Sequence, residues 1–274
     1  ASASGPAGQG VRPATLSVWG LTVRFGPVTV VRGVDLRVEP GQVVGMIGPN
    51  GAGKTTVIDA ITGYTPASVG SLSLGGVRLD GLPAHGRARA GISRSFQNLE
   101  LFEDLTVLEN IQAASDRRDP LAYLTDLVFP RSRPLPSAAL AAVEAFGLRA
   151  DLLRTVSDLP YGRRRLLAIA RAVAASPGVL LLDEPCAGLD ESESAEVAAL
   201  LRRLADEWGL GILLNEHDMD VIMGVCDRVV VLDAGEVIAE GSPGQVAADP
   251  RLDAVVAGIG YARGSFPHAR ELVL

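Results

Sequence analysis

The chain has 274 residues, enough for one large domain or two small ones; 47% are hydrophobic and only 4% aromatic. Its formal net charge of −7 argues against bulk nucleic-acid binding, which favours a basic surface. No apolar run approaches the length of a membrane span, no secretory signal opens the sequence, and no internal repeat is visible. Cys186 and Cys226 have neither metal-ligand spacing nor framework partners, which points to a reducing compartment and packing roles.

In chain order, Ala1 to Pro13 is small and polar and reads as a disordered tail or a linker. Leu16–Phe25 and Val34–Val38 read as strands, with a turn at Gly26-Pro27. Glu39-Pro40-Gly41 turns the chain into a short apolar strand, Val43–Ile47. Gly48-Pro49-Asn50-Gly51-Ala52-Gly53-Lys54-Thr55-Thr56 follows and matches the P-loop pattern, and Lys54 to Thr62 can continue as a helix. Glycines let a backbone wrap a phosphate closely, with N–H groups inward and a helix dipole behind them. Lys54 would place an ammonium on the β- and γ-phosphates, and the Thr55 hydroxyl would ligate Mg2+. Lys54 is also the only lysine in a chain whose other basic side chains are all arginine. A compact ammonium fits between phosphates where a planar guanidinium does not.

Further strands are expected at Ser71–Val77 and Ile92–Gln97. Thr106 to Ala175 changes character to helix: Thr106-Val107-Leu108-Glu109 has capping-box spacing, Ser137–Phe146 is Ala-rich, and Gly162–Ala175 is apolar on one face and arginine-rich on the other. Asp116 to Pro136 holds four prolines and reads as a lobed loop or short helix. Val179 to Glu184 is an apolar strand ending in two carboxylates. Ser192–Trp208 follows as a helix, Ile212–Leu214 as a strand and Met219–Val225 as a helix. Arg228–Leu232 and Glu236–Glu240 are strands joined at Asp233-Ala234-Gly235. This alternation implies a mainly parallel, covered sheet, interrupted by an inserted helical block. With a P-loop upstream, Asp183-Glu184 reads as a Walker B end: Asp183 would hold the Mg2+ shell and Glu184 would orient the attacking water.

The order of these motifs resembles the nucleotide-binding domain of ATP-binding-cassette (ABC) proteins, over nearly everything from residue 15 to about 260. Phe25 looks like the aromatic that stacks on adenine. Gln97 looks like the Q-loop glutamine that senses Mg2+ and γ-phosphate. Leu159-Pro160-Tyr161-Gly162-Arg163 stands where the signature motif belongs, Ala187-Gly188-Leu189-Asp190 resembles the D-loop, and His217 the switch histidine. The resemblance implies an α/β fold of P-loop (RecA-like) type: a mainly parallel sheet, an N-terminal antiparallel β subdomain and an inserted α-helical subdomain. The expected division is a tail at 1–13, an ATP-binding core at 14–97 and 176–260, a helical subdomain at 98–175 and a C-terminal tail at 261–274.

The resemblance further implies that one chain makes half a site. A second ABC ATPase subunit, identical or different, would stack head to tail so that each signature helix closes the partner's P-loop over ATP. Pro160 and Arg163 depart from the commonest Leu-Ser-Gly-Gly-Gln signature, so the site this chain closes on its partner is expected to be the weaker one. The Tyr-Gly signature, the Asn215-Glu216-His217-Asp218-Met219 run and the tail at Glu240-Gly241-Ser242-Pro243 look most like branched-chain amino acid importer ATPases, the larger of the two types, and importers of a related small polar solute such as urea or amides share these features. Such a chain would be peripheral, at the cytoplasmic face of the cell membrane, bound to transmembrane permease subunits and not to nucleic acid. Phe96, Asn98, Leu99, Leu101 and Phe102 are candidates for the permease-docking surface, or else internal packing. Alternative readings are the ATPase of a lipid or lipopolysaccharide exporter, or a soluble ABC protein of translation or DNA maintenance. A small-molecule kinase or GTPase would carry neither the signature nor the switch histidine.

Overall fold

Side-chain alternation decides the first sheet. In β1 (Leu16–Phe25) Leu16, Val18, Leu21 and Val23 are buried, and β2 (Val28–Val38) buries Val31, Val34, Leu36 and Val38. These two strands join β4 (Val69–Leu74) and β5 (Val77–Arg78) in an antiparallel sheet of order β2-β1-β4-β5. The computed structural model describes residues 11–95, 99–115 and 135–252.

The second sheet has the order β10-β9-β3-β8-β7-β6, from β3 (Val43–Ile47), β6 (Ile92–Ser95), β7 (Val179–Asp183), β8 (Gly211–Asn215), β9 (Arg228–Asp233) and β10 (Glu236–Gly241). All its pairings are parallel except β9 with β10. Every residue of β3, β7 and β8 is buried, as a parallel sheet covered on both faces requires. The two-residue period sorts their side chains into two cores. Val43, Ile47, Leu180, Leu182, Ile212 and Leu214 face one, and Val44, Met46, Val179, Leu181 and Leu213 face the other.

The second of these cores is closed by α1 (Lys54–Thr62) and the antiparallel sheet. The first is closed by α3 (Val107–Ser115), α4 (Ser137–Ala145), α5 (Tyr161–Ala174), α6 (Glu191–Trp208) and α7 (Met219–Val225). Helix starts follow local chemistry. Glu109 accepts from the Thr106 N–H and hydroxyl ahead of α3, and Asp190 with Glu193 forms a full capping box on α6. Ser242 and Gln245 form another on α8 (Pro243–Ala248).

The structure differs from the sequence reading in four places. The strand expected at Ser71–Val77 is two, β4 and β5, because Gly75 and Gly76 turn the chain at φ 57° and 83°. β2 begins at Val28 rather than Val34, with register shifts along its pairing to β1 that absorb Gly20 and Gly33. A helix absent from the sequence reading, α2 (Ala84–Ala90), forms despite Gly86, since Gly91 caps it and Arg87 anchors it through the Ala60 and Ile61 carbonyls. Val11 packs partly on the first core and the Ala14 N–H donates to Gly178, so the end of the expected tail is held down. Residues 1–10, nearly all of the Asp116–Pro136 segment and the stretch from 253 onward lie outside the described residues.

Candidate functional site

Four strands of the parallel sheet end at one edge. Asn215 pairs with both Met46 and Asp183, and Ser95 pairs with Leu182, so β3, β8, β7 and β6 finish side by side. The P-loop leaves β3, Glu184 follows β7 and His217 follows β8. Gln97, with Phe96 and Asn98, lies outside the described residues, two positions beyond the end of β6. Ligands of open α/β sheets bind beyond the carboxyl ends of the strands.

The loop from Gly48 to Gly53 is shaped by backbone that only glycine tolerates. Gly48 has φ 154°, and a Cβ there would lie 2.1 Å from the Leu232 carbonyl oxygen. Pro49 accepts from the Ala52 N–H, Ala52 accepts from Gly235 on the β9–β10 turn, and Asn50 sits at the turn itself. Helix α1 then starts at Lys54 with no side-chain cap at Gly53 and no carboxylate in its first turn. Its N–H groups and the positive end of its dipole are left for an anion. Thr55 is exposed at this start and Thr56 is half-buried.

The Lys54 ammonium lies within the loop, donating to Gly48 at 2.6 Å and Pro49 at 3.1 Å. Burial pushes its pKa below the ordinary lysine value, against the opposing charges of Glu184 and Asp183. A bound phosphate would supply the anionic partner that two carbonyls replace only weakly. Asp183, 3% exposed, accepts from Asn215 Nδ2 at 2.6 Å on one oxygen and from Arg94 Nη2 at 2.8 Å on the other. The other arm of Arg94 bonds Asp59 on α1. Glu184 stands at φ 50°, its N–H donating to Asn215 and its carbonyl accepting from Ala187. This turn carries a non-glycine residue in the left-handed region, the kind of local cost that clusters at functional sites.

His217 is half-exposed, and its backbone N–H donates to the buried Glu216 carboxylate at 3.0 Å. Phe25 is half-exposed at the β1–β2 hairpin, whose Val30 carbonyl would lie 3.1 Å from a Cβ on Gly53, so the hairpin abuts the loop. The signature residues stand apart from these, at the start of α5. Leu159 is buried, Pro160 occupies the N-cap with no side-chain bond, and Tyr161 opens the helix. Gly162 faces Glu193 so closely that a Cβ would lie 2.2 Å from its Oε1. Arg163 turns inward to Asp151 and the Gly147 carbonyl. Leu101 packs partly against the core, whereas Phe102 is half-exposed with Arg171 stacked 5.1 Å from its ring centroid.

Sequence reasoning did not single out Arg94, Asp59 or Asn215. The signals were a lone arginine inside a short strand and a polar residue closing an apolar one. The donor set suits a triphosphate with Mg2+: a hydroxyl at Thr55 and one carboxylate at Asp183 leave the remaining positions to phosphate and water. Among the described residues no cluster of three or more His, Cys, Asp or Glu could hold a metal without such help.

The family model described as ABC transporter matches residues 31–187. The high-affinity branched-chain amino acid transport ATP-binding protein BraF of Pseudomonas aeruginosa is 41% identical over 252 residues, which cover 90% of this chain and 98% of that protein. LivG of Escherichia coli, of the same description, is 40% identical over 240 residues, 86% of this chain and 94% of LivG. The ADP conformation of MJ1267, an ATP-binding cassette of an ABC transporter, superposes with a TM-score of 0.77 at 28% identity, covering 91% of this chain and 99% of that one. Together with the P-loop, the Asp183-Glu184 strand end and the signature helix on one scaffold, these place the chain in the ABC transporter family, as an ATP-binding cassette ATPase.

Proposed function

We propose that the chain is the energy-coupling ATPase of a branched-chain amino acid importer, docked on permease subunits at the cytoplasmic face of the membrane. The observation that carries this reading is the 41% identity to BraF across 98% of that protein's length. No helix among the described residues is long and apolar enough to cross a membrane.

In this reading the core spans 14–97 and 176–260, the helical subdomain 98–175, with tails at either end. The P-loop backbone and Lys54 grip the β- and γ-phosphates, and Phe25 lies under adenine. Thr55 and Asp183, with Gln97, would hold Mg2+, which when bound neutralises charge on the phosphates. Glu184 orients the attacking water and His217 contacts the γ-phosphate. Leu159 to Arg163 act on the ATP held by a second ABC ATPase subunit, with Pro160 lacking the hydroxyl of the common signature, so closure of that site is weaker. ATP joins the two subunits and hydrolysis releases them, a two-state element biased by the γ-phosphate.

The test is uptake of radiolabelled leucine, isoleucine and valine by the host after deletion of the gene. Uptake falls and returns with the parental gene but not with Glu184→Gln. Undiminished uptake in the deletion strain, with loss of some other solute's transport, refutes the assigned substrate.

A further inference from the structure

Glu216 is a carboxylate 1% exposed, at the end of β8, with no role in the scheme above. Its two oxygens face different loops. Oε1 accepts from the Cys186 N–H at 2.8 Å, on the turn that follows Glu184. Oε2 accepts from the His217 N–H at 3.0 Å, with the Asp218 N–H at 3.5 Å. The Cys186 thiol is a further neighbour: burial, with the charge and hydrogen bonding of Glu216, pushes its pKa up to about 12, so the sulfur stays protonated beside the carboxylate. A buried anion is tolerated where several donors converge on it, and such charge-assisted bonds are about twice as strong as neutral ones.

The strand ends themselves are tied by the Glu184 N–H donating to the Asn215 carbonyl, and Glu216 carries the tie beyond them, to Cys186 on one turn and His217 on the other. Cys186 leads directly into Ala187-Gly188-Leu189-Asp190, and His217 is the next residue after Glu216. We propose that Glu216 is a positioning residue that yokes the turn after β7 to the turn after β8, holding Glu184, the 187–190 segment and His217 in one arrangement for hydrolysis. The inference rests on the roles of Glu184 and His217 given above.

Glu216→Gln keeps the shape but offers one acceptor oxygen, so an amide N–H₂ must face one of the two sets of backbone N–H groups. Glu216→Asp keeps the charge on an arm one methylene shorter, which cannot reach both loops. In both variants of the full chain, kcat for ATP falls at least about ten-fold with KM within about two-fold, the scale seen when a group orienting a reactive residue is lost. Native-state alkylation followed by peptide mass spectrometry supplies the second readout. Cys186 is labelled at least about ten-fold faster in the variants, because local opening sets access to a buried thiol. Cys226 is also buried and raised to about 12, but does not touch Glu216, and keeps its parental rate. Parental kcat, restored kcat in Glu216→Asp, unchanged Cys186 labelling, or equal acceleration of both cysteines overturns the proposal. His217→Ala, assayed alongside, separates the two possible failures: parental turnover there removes the reading of His217, while Cys186 labelling still decides the bridge.

Discussion

The Tyr161 hydroxyl donates to the Ala187 carbonyl over 3.1 Å, tying the first residue of the signature helix to the segment that follows Glu184. Arg165, 1% exposed, reinforces the tie by donating to that hydroxyl at 2.7 Å and to the same carbonyl at 2.9 Å. Gly188, at φ 78°, lies against the ring, where a Cβ would stand 3.2 Å from Cε1. The start of α5 and the turn after β7 are therefore one connected unit within the chain.

Tyr161→Phe removes the hydroxyl and leaves a buried guanidinium with one acceptor fewer. It costs about 1 kcal/mol, a fall of about 2–4 °C in Tm for a chain of this size, while ATP affinity at the P-loop is retained. Thermal melting beside nucleotide titration checks this. An unchanged Tm means the tie contributes nothing.

Arg94 joins Asp59 on α1 to Asp183 on β7, with side chains 8% exposed on Arg94 and 3% on Asp183. Lysine carries the charge but not the fork that spans two carboxylates. Arg94→Ala destabilises the fold by about 3–5 kcal/mol, the cost of stranding one member of a buried pair. Arg94→Lys recovers only part of this. Denaturant unfolding of the three proteins measures it, and parental stability in Arg94→Lys removes the two-carboxylate account.

The elements whose chemistry is local were legible in the sequence. Lys54 declares itself by the glycines before it, Glu184 by the four apolar residues ahead of Asp183, and the α3 start by the Thr106–Glu109 capping spacing, whereas the Asp190–Glu193 box that opens α6 at Glu191 was not read. What was not legible depends on distant pairing. Asn215 holds Asp183 only because β8 lies between β3 and β7, an order that chain sequence does not state. Arg94 reads as an odd charge in a strand until the fold brings Asp59 and Asp183 to either end of it. Helix α2 was missed because Gly86 and its arginines hide any apolar period, and its anchor is a tertiary contact from Arg87 to α1.

Acid sensitivity of the helical block centres on Asp151. Burial raises its pKa, but hydrogen bonds and charge from Arg163 and Arg154 together outweigh this and hold the carboxyl below its ordinary 3.8. A lowered folded pKa stabilises the fold above the unfolded value, and that contribution is lost as pH falls through the folded one. Asp151→Asn therefore lowers stability by about 1–2 kcal/mol at pH 6, discounted for the exposure of Arg154. The difference from the parent shrinks below about pH 4. A gap that widens with acid contradicts the sign.

The proposed function depends on ATP gripped at residues 48–56 and cut through Glu184. The direct measurement is ATP binding and ATP turnover on the same preparation of Glu184→Gln, beside the parent. Binding within about two-fold of the parent with turnover reduced at least about a hundred-fold is the predicted result, since the amide fills the place but cannot take a proton. Turnover at the parental rate would contradict it.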